Sequence, residues 1–263
     1  MAERVQANGV ALAFERAGEG PAVVFVHGLG GAGSWRDQAN AVREAGFDAT
    51  AIALRGAGQS EVPEGPYSVE LWAADLVAAI DALGIGSAAL VGHSVGCMIA
   101  EHAAVALGGR CTALALLGGR LRWPEGAEEV FEKRARLAEQ GRMREVMEMV
   151  AEGALTERGR ANPELMGRFE ALFMANDPRC YAESARATVR GSMRELERVE
   201  CTVLSFAGSE DAVTTPEAAG EIAGVVADGE SAVVEGGAHW CQMEFAAEVN
   251  EILVRFLQGG ATG

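Results

Sequence analysis

Lysine is almost missing from this chain. Lys133 is the one lysine among 22 basic residues, which face 38 acidic ones. The formal net charge of -16 argues against nucleic acid and anionic membranes as partners. The arginine bias reads as genome base composition rather than mechanism. Long apolar runs are missing too: nothing approaches the roughly 18 residues of a membrane span. The opening MAERVQANGV is charged early and carries no apolar run, so no secretory leader is expected. Cys97, Cys111, Cys180, Cys201 and Cys241 are scattered and form no C-x-x-C pair. That pattern predicts a reduced, cytoplasmic protein with neither disulfides nor structural zinc. No internal repeat interrupts the chain, and only a frayed tail is expected over Gly259–Gly263.

What is present is organised around residues 87–107, SAALVGHSVGCMIAEHAAVAL. Ala88 to Gly92 reads as a short buried strand. After Val95 the apolar residues Met98, Ile99, Ala103 and Ala106 recur at helical spacing. Between the two stands Gly92-His93-Ser94-Val95-Gly96, a G-x-S-x-G sequence. The strand must turn sharply into the helix at Ser94, and small residues on both sides let the two elements pass closely. The turn lifts the Ser94 hydroxyl above the sheet at the positive end of the helix, beside the backbone N–H of Val95.

The rest of the chain alternates strands and helices. Asn8-Gly9 between two strand-like runs signals a hairpin. Ala22 to Val26 is a continuous apolar strand ending in His27-Gly28-Leu29-Gly30-Gly31. Ser34 is expected to cap a helix running through Ala45, and Ser68 another to about Leu83. Ala49 to Leu54 and Ala113 to Leu117 read as further strands. The alternation then stops. Residues 121–199 carry Glu, Arg, Met and Ala at helical spacing and no strand-like run, so they read as an inserted helical cap. It resumes with Thr202 to Phe206, a helix opening at Thr215-Pro216, a strand over Ser231 to Val234, and a last helix from Met243 to Leu257. The expected fold is α/β, a doubly wound, mostly parallel sheet. Its core would be 1–120 and 200–263, with the cap at 121–199.

A serine hydroxyl attacks only when a neighbouring base takes its proton. Four histidines exist. His93 lies inside the turn and points elsewhere. His102 is eight residues along the same helix, about 12 Å away on its axis. His27 lies on a loop suited to supplying a backbone donor. His239, in Gly236-Gly237-Ala238-His239, remains as the base. The acid that orients it should fall between serine and base in chain order. Asp211 and Glu210, after the strand ending at Phe206, both compete, and Asp211 is preferred because its short side chain reaches back over the sheet. Two backbone N–H groups, those of Leu29 and Val95, are expected to stabilise an oxyanion.

His27-Gly-Leu-Gly30, Arg55-Gly-Ala-Gly-Gln-Ser60, Gly92-His-Ser-Val-Gly96, Gly208-Ser-Glu-Asp211 and Gly236-Gly-Ala-His239 together resemble the α/β-hydrolase superfamily, in its order and over nearly the whole chain. Ala53 departs from the Asp usual before the arginine loop. Asn176 to Ala182 in the cap resembles, more weakly, the 3-oxoadipate enol-lactonase branch. The resemblance implies a cofactor-free, metal-free serine hydrolase using Ser94, Asp211 and His239 on a small carboxylic ester or lactone. Carbon–carbon hydrolysis of a diketone and a slow ligand receptor are the other readings. Similar enzymes that open epoxides or remove halogens use Asp as nucleophile, so Ser94 argues against both. Trp123 and Trp240, with Phe169, Phe173 and Met147, are expected at the substrate pocket; ordinary packing is the alternative for each. For an anionic substrate, cap arginines such as Arg179, Arg186 or Arg190 would have to supply the charge. Homo-oligomerisation stays open.

Overall fold

The protein is described here from a computed structural model covering residues 3–259. The tail expected to fray lies, beyond Gly259, outside the described residues.

Eight strands form one sheet: β1 (Glu3–Ala7), β2 (Val10–Ala17), β3 (Ala22–Val26), β4 (Asp48–Ile52), β5 (Ala88–His93), β6 (Cys111–Leu117), β7 (Val203–Gly208) and β8 (Gly229–Val234). Their spatial order is β1-β2-β4-β3-β5-β6-β7-β8. β1–β2 and β2–β4 are antiparallel, and every later pair is parallel. The chain leaves β3 towards β4, then crosses back to place β5 on the other side of β3. In an open parallel sheet that reversal opens a crevice at the carboxyl ends of the strands, where ligands bind. Ser94 follows β5 and the His27 loop follows β3, so both stand at this point.

Helices cover both faces, which is why the inner strands are apolar without alternation. Val24 and Val26 of β3 pack with α2 (Val69–Ala82), α3 (Val95–Leu107) and α9 (Pro216–Val225). Val23 and Phe25 point the other way, onto α1 (Arg36–Glu44) and α11 (Ala246–Leu257). Strand ends shift by up to two residues from expectation, and two helix boundaries move for visible reasons. Ser34 does not cap α1: its N–H closes a turn on the Gly31 carbonyl, its hydroxyl has no partner, and Trp35 opens the helix instead. The indole N–H of Trp35 donates to Val26 O (3.0 Å) and fixes that start. The last helix divides at Phe245 into α10 (Cys241–Glu244) and α11.

Between β6 and β7 lie α4 (Ala127–Glu139), α5 (Met143–Ala154), α6 (Glu157–Arg160), α7 (Pro163–Met174) and α8 (Pro178–Arg190). Asn162 and Asp177 cap α7 and α8 through side-chain oxygens, each followed by proline at the first helical position. These helices bury their own core around Phe169 and Phe173, each 0% exposed. Burying one such ring contributes about 1.5–3 kcal/mol. Trp240 belongs to that core, so the loop carrying His239 is clamped from above.

Candidate active site

The turn at Ser94 is as sharp as its sequence requires. Ser94 has φ 55° and ψ -119°, one of two non-glycine residues with positive φ among the described ones. Such a conformation costs of order 1–3 kcal/mol and marks a position held by its surroundings. The surroundings are visible. Ser94 N–H donates to Leu117 O (2.9 Å) on β6. A β-carbon on Gly92 would stand 2.4 Å from the Gly96 carbonyl oxygen, and one on Gly96 would stand 2.4 Å from Val26 O. Both glycines are therefore needed for strand and helix to pass. Val95 is the first residue of α3, so its N–H has no partner inside the helix. Leu29 and Val95 line a cavity of about 20 Å³ with Tyr181, about the space of one water.

His239 follows β8 by a tight loop. Its Nδ1 stands 2.8 Å from Asp211 Oδ2, and both residues are buried. The other oxygen, Asp211 Oδ1, accepts the N–H groups of Val213 (2.8 Å) and Thr214 (2.7 Å). The carboxylate is thereby fixed on both oxygens. Glu210 is exposed and only its backbone N–H is engaged, on Gly237 O. Of the two competing acids, Asp211 is the one against the imidazole.

Several residues around this pair carry no signal in the sequence. His93 is fully buried between the turn and the His239 loop. Its Nε2–H donates to His239 O (2.9 Å), and its Nδ1 accepts from Gln242 Nε2 (3.1 Å). Burial and the neighbouring His239 hold its pKa well below the usual histidine value, so the ring is neutral. His27 is buried and neutral as well: Nδ1–H donates to Gly28 O (2.7 Å) and Nε2 accepts from Leu54 N–H (3.0 Å). Burial pushes its pKa down to about 4. Gly118 (φ +64°) sits directly beneath the imidazole.

Trp240 is 2% exposed and packs edge-on against His93 (4.8 Å) and Phe169 (5.1 Å), with Gly31 beneath its ring. Phe169, Phe173 and Met147 lie in the same buried cluster. Trp123 is half-buried, donates Nε1–H to Gly191 O (3.0 Å), and lines a cleft of about 550 Å³. Arg190 lines that cleft as well. Arg186 is bound to Glu132 and Glu139, and Arg179 is exposed beside Asp177. Among the described residues no group of three or more His, Cys, Asp or Glu side chains could hold a metal ion. Nor is any described helix long and apolar enough to cross a membrane.

Comparison with known proteins shows the family of this fold. The chain is 26% identical over 258 residues to a protein of Escherichia coli named as a carbamate hydrolase, RutD, covering 91% of this chain and 90% of that one. A shorter stretch of 104 residues is 40% identical to an epoxide hydrolase of Caballeronia sordidicola; it covers 38% of this chain and spans about a third of that relative's length. The crystal structure of the enol-lactonase of Burkholderia xenovorans LB400 superposes with a TM-score of 0.90 at 26% identity, covering 97% of this chain and all of that one. The alpha/beta hydrolase fold family matches residues 21–246. The chain belongs to that family, and it is a hydrolase.

Proposed function

We propose that the protein hydrolyses a carboxylic ester or lactone through an acyl-enzyme on Ser94. The observation that carries this reading is the Asp211–His239 pair, 2.8 Å apart and buried beside the strained turn that presents Ser94. Asp211 holds the imidazole with Nδ1–H towards the carboxylate, which leaves Nε2 free to accept a proton. Ser94 Oγ attacks the carbonyl carbon as His239 Nε2 takes the hydroxyl proton. The carbonyl electron pair moves onto oxygen, and the N–H groups of Leu29 and Val95 stabilise that oxyanion. The intermediate collapses, the carbon–oxygen bond to the leaving group breaks, and His239 protonates the departing oxygen. Water, deprotonated by His239, then attacks the acyl-Ser94 ester, and the acid is released with Ser94 restored.

The helices of 121–199 act in this scheme as a cap that shapes the pocket, while loops at the strand ends do the chemistry. The enol-lactonase likeness supports the lactone branch. Ser94 at the turn, in place of an aspartate, separates the chain from the mechanism expected of epoxide opening.

A fluorophosphonate probe tests the reading. It is expected to label Ser94 alone, and Ser94→Ala is expected to abolish labelling. A parallel screen of esters, lactones and diketones, read by mass spectrometry, should show multiple turnovers of an ester or lactone. Labelling of the Ala variant at the wild-type level overturns the nucleophile. Stoichiometric binding without turnover favours a receptor. A diketone cleaved a hundredfold faster than any ester or lactone moves the reaction to carbon–carbon hydrolysis.

A further inference from the structure

The cysteines are scattered along the chain, and folding brings two of them together. The sulfurs of Cys111 and Cys201 stand 3.7 Å apart, although 90 positions separate the residues in sequence. Cys111 opens β6, and Cys201 lies just before β7. The Leu114 N–H donates to Thr202 O (3.0 Å) and keeps the two chains side by side at this end of the sheet. Cys111 is buried, while Cys201 is half-buried and packs against the same apolar cluster. The remaining thiols are placed differently. Cys97 contacts the carbonyls of Gly92 and Leu117, Cys180 accepts from the Tyr67 hydroxyl, and Cys241 is 0% exposed. Among the described residues no other two thiols are in contact.

A disulfide holds its sulfurs at about 2.0 Å. Closing the gap from 3.7 Å asks for rotation of two side chains on neighbouring stretches, not for movement of a strand. The contact also divides the two protons unequally. The hydrogen bond between the thiols lowers the pKa of Cys201, and burial and the nearby Asp228 carboxylate oppose that fall without cancelling it. The same hydrogen bond, with burial, raises the pKa of Cys111. A thiolate therefore forms on the half-buried residue, with a second thiol against it. Susceptibility to peroxide follows thiolate character and exposure, and a neighbouring thiol resolves the oxidised sulfur before it goes further.

We infer that Cys111 and Cys201 form a modification site for peroxide, whose disulfide staples β6 to the start of β7, the two strands between which the helices of 121–199 are inserted. The Cys201 thiolate attacks one oxygen of hydrogen peroxide. The O–O bond breaks, hydroxide leaves, and Cys201 becomes a sulfenic acid. The Cys111 sulfur then attacks Cys201 as its proton is lost; the S–S bond forms, the S–O bond breaks, and a second hydroxide leaves. The two thiols give up two electrons and two protons, and the peroxide becomes two waters. The chain between the sulfurs holds all of β6 and every helix from α4 to α8. Cross-linking so long a segment removes conformations from the unfolded chain, so the oxidised protein resists unfolding more than the reduced one. The candidate active site is at the other end of the sheet. β6 has 7 residues, about 23 Å, between the Cys111 end and Gly118 under the imidazole. The staple acts on stability and is independent of the chemistry at Ser94.

The test treats the folded, reduced full chain with hydrogen peroxide, blocks the remaining thiols by alkylation, and maps the peptides by mass spectrometry without reduction. A linked Cys111–Cys201 peptide is expected, two hydrogens lighter than its two free parts, and dithiothreitol should remove it. Cys111→Ala should lose the link and leave Cys201 as a sulfenic acid that dimedone traps, with more adduct there than on Cys97, Cys180 or Cys241. The urea midpoint of peroxide-treated wild type is expected to shift above that of the reduced protein. Cys201→Ser, whose methionines meet the same peroxide, should show no upward shift. Absence of the linked peptide overturns the proposal, as does a link that forms only after the chain has been unfolded in urea. A link that leaves the urea midpoint unchanged, or a midpoint that rises equally in Cys201→Ser, overturns the staple.

Discussion

His93 Nε2–H donates to the backbone carbonyl of His239 across 2.9 Å, joining residues 146 apart in the chain. The residue next to Ser94 thus holds the loop that carries His239. Gln242 fixes the tautomer by donating to Nδ1, and Gln38 holds the Gln242 carbonyl in turn (3.0 Å). His93→Leu would leave the His239 carbonyl and the Gln242 amide without partners, at about 1–3 kcal/mol for each orphaned group. We expect kcat to fall at least tenfold in the folded variant while KM changes little. His93→Gln, whose amide can still donate to that carbonyl, should recover part of the rate. Equal loss in both variants, tracking stability alone, would show that His93 only fills space.

The two acids after β7 separate by substitution. Asp211→Asn keeps the shape and removes the charge that holds Nδ1–H, and a comparable change in a serine hydrolase lowers kcat by about 10⁴. We expect a loss of that order at unchanged KM. Glu210 is exposed, so Glu210→Gln should leave kcat within about twofold. Steady-state kinetics on one ester substrate decides between them, and the reverse ranking would move the role to Glu210.

The legible and illegible parts of the site divide by the range of the interactions involved. The sharp turn at Ser94 is legible because it needs glycine two residues away on each side, a local demand written into five consecutive residues. The pairing of His239 with Asp211 is legible because only four histidines exist and the expected chain order restricts the acid. Sheet and helix order followed from the apolar runs. The role of His93 depends on a carbonyl 146 residues away, and no spacing announces it. The half-buried Arg120 and Arg134, whose Nε groups are shielded from solvent without a partner, are likewise a product of tertiary packing that no spacing announces. Ser34 shows the opposite failure. It is a good capping residue by type, yet the Trp35–Val26 hydrogen bond sets the helix start instead.

Two buried neutral histidines make stability depend on mild acid. Burial holds the His27 pKa at about 4, against 6.5 for a free imidazole. Between those values the unfolded chain takes up a proton that the folded protein refuses, so stability falls as pH falls. His27 contributes its stability fully above pH 6.5 and loses it progressively towards pH 4, by about 3 kcal/mol at most. His93 acts in the same direction. Glu244, whose pKa burial raises, works against them. Urea unfolding is expected to show a midpoint that drops steadily from pH 7 to pH 4.5. His27→Gln should flatten that slope. A midpoint that stays constant or rises over this range would contradict the assignment.

Gly118 offers a test of how closely the His239 imidazole is seated. Its φ of +64° is one that side-chain-bearing residues avoid, at about 1–2 kcal/mol. A β-carbon there would stand 2.9 Å from His239 Cε1 and 3.1 Å from Nδ1. The backbone cannot retreat, because Gly118 N–H is bound to Phe206 O (2.9 Å) and Gly118 O accepts the Thr214 hydroxyl (3.2 Å). The imidazole must therefore move, and a displacement of a few tenths of an ångström would weaken its bond to Asp211. Gly84 provides the control: its φ is +70°, and nothing lies within 4 Å of its β-position. Alanine at 84 should cost the same backbone strain and leave kcat intact. Alanine at 118 should cost at least as much stability and lower kcat tenfold to a hundredfold. Thermal unfolding and kinetics of the two variants separate strain from displacement, and wild-type kcat in Gly118→Ala would show that the imidazole has room that this geometry denies it.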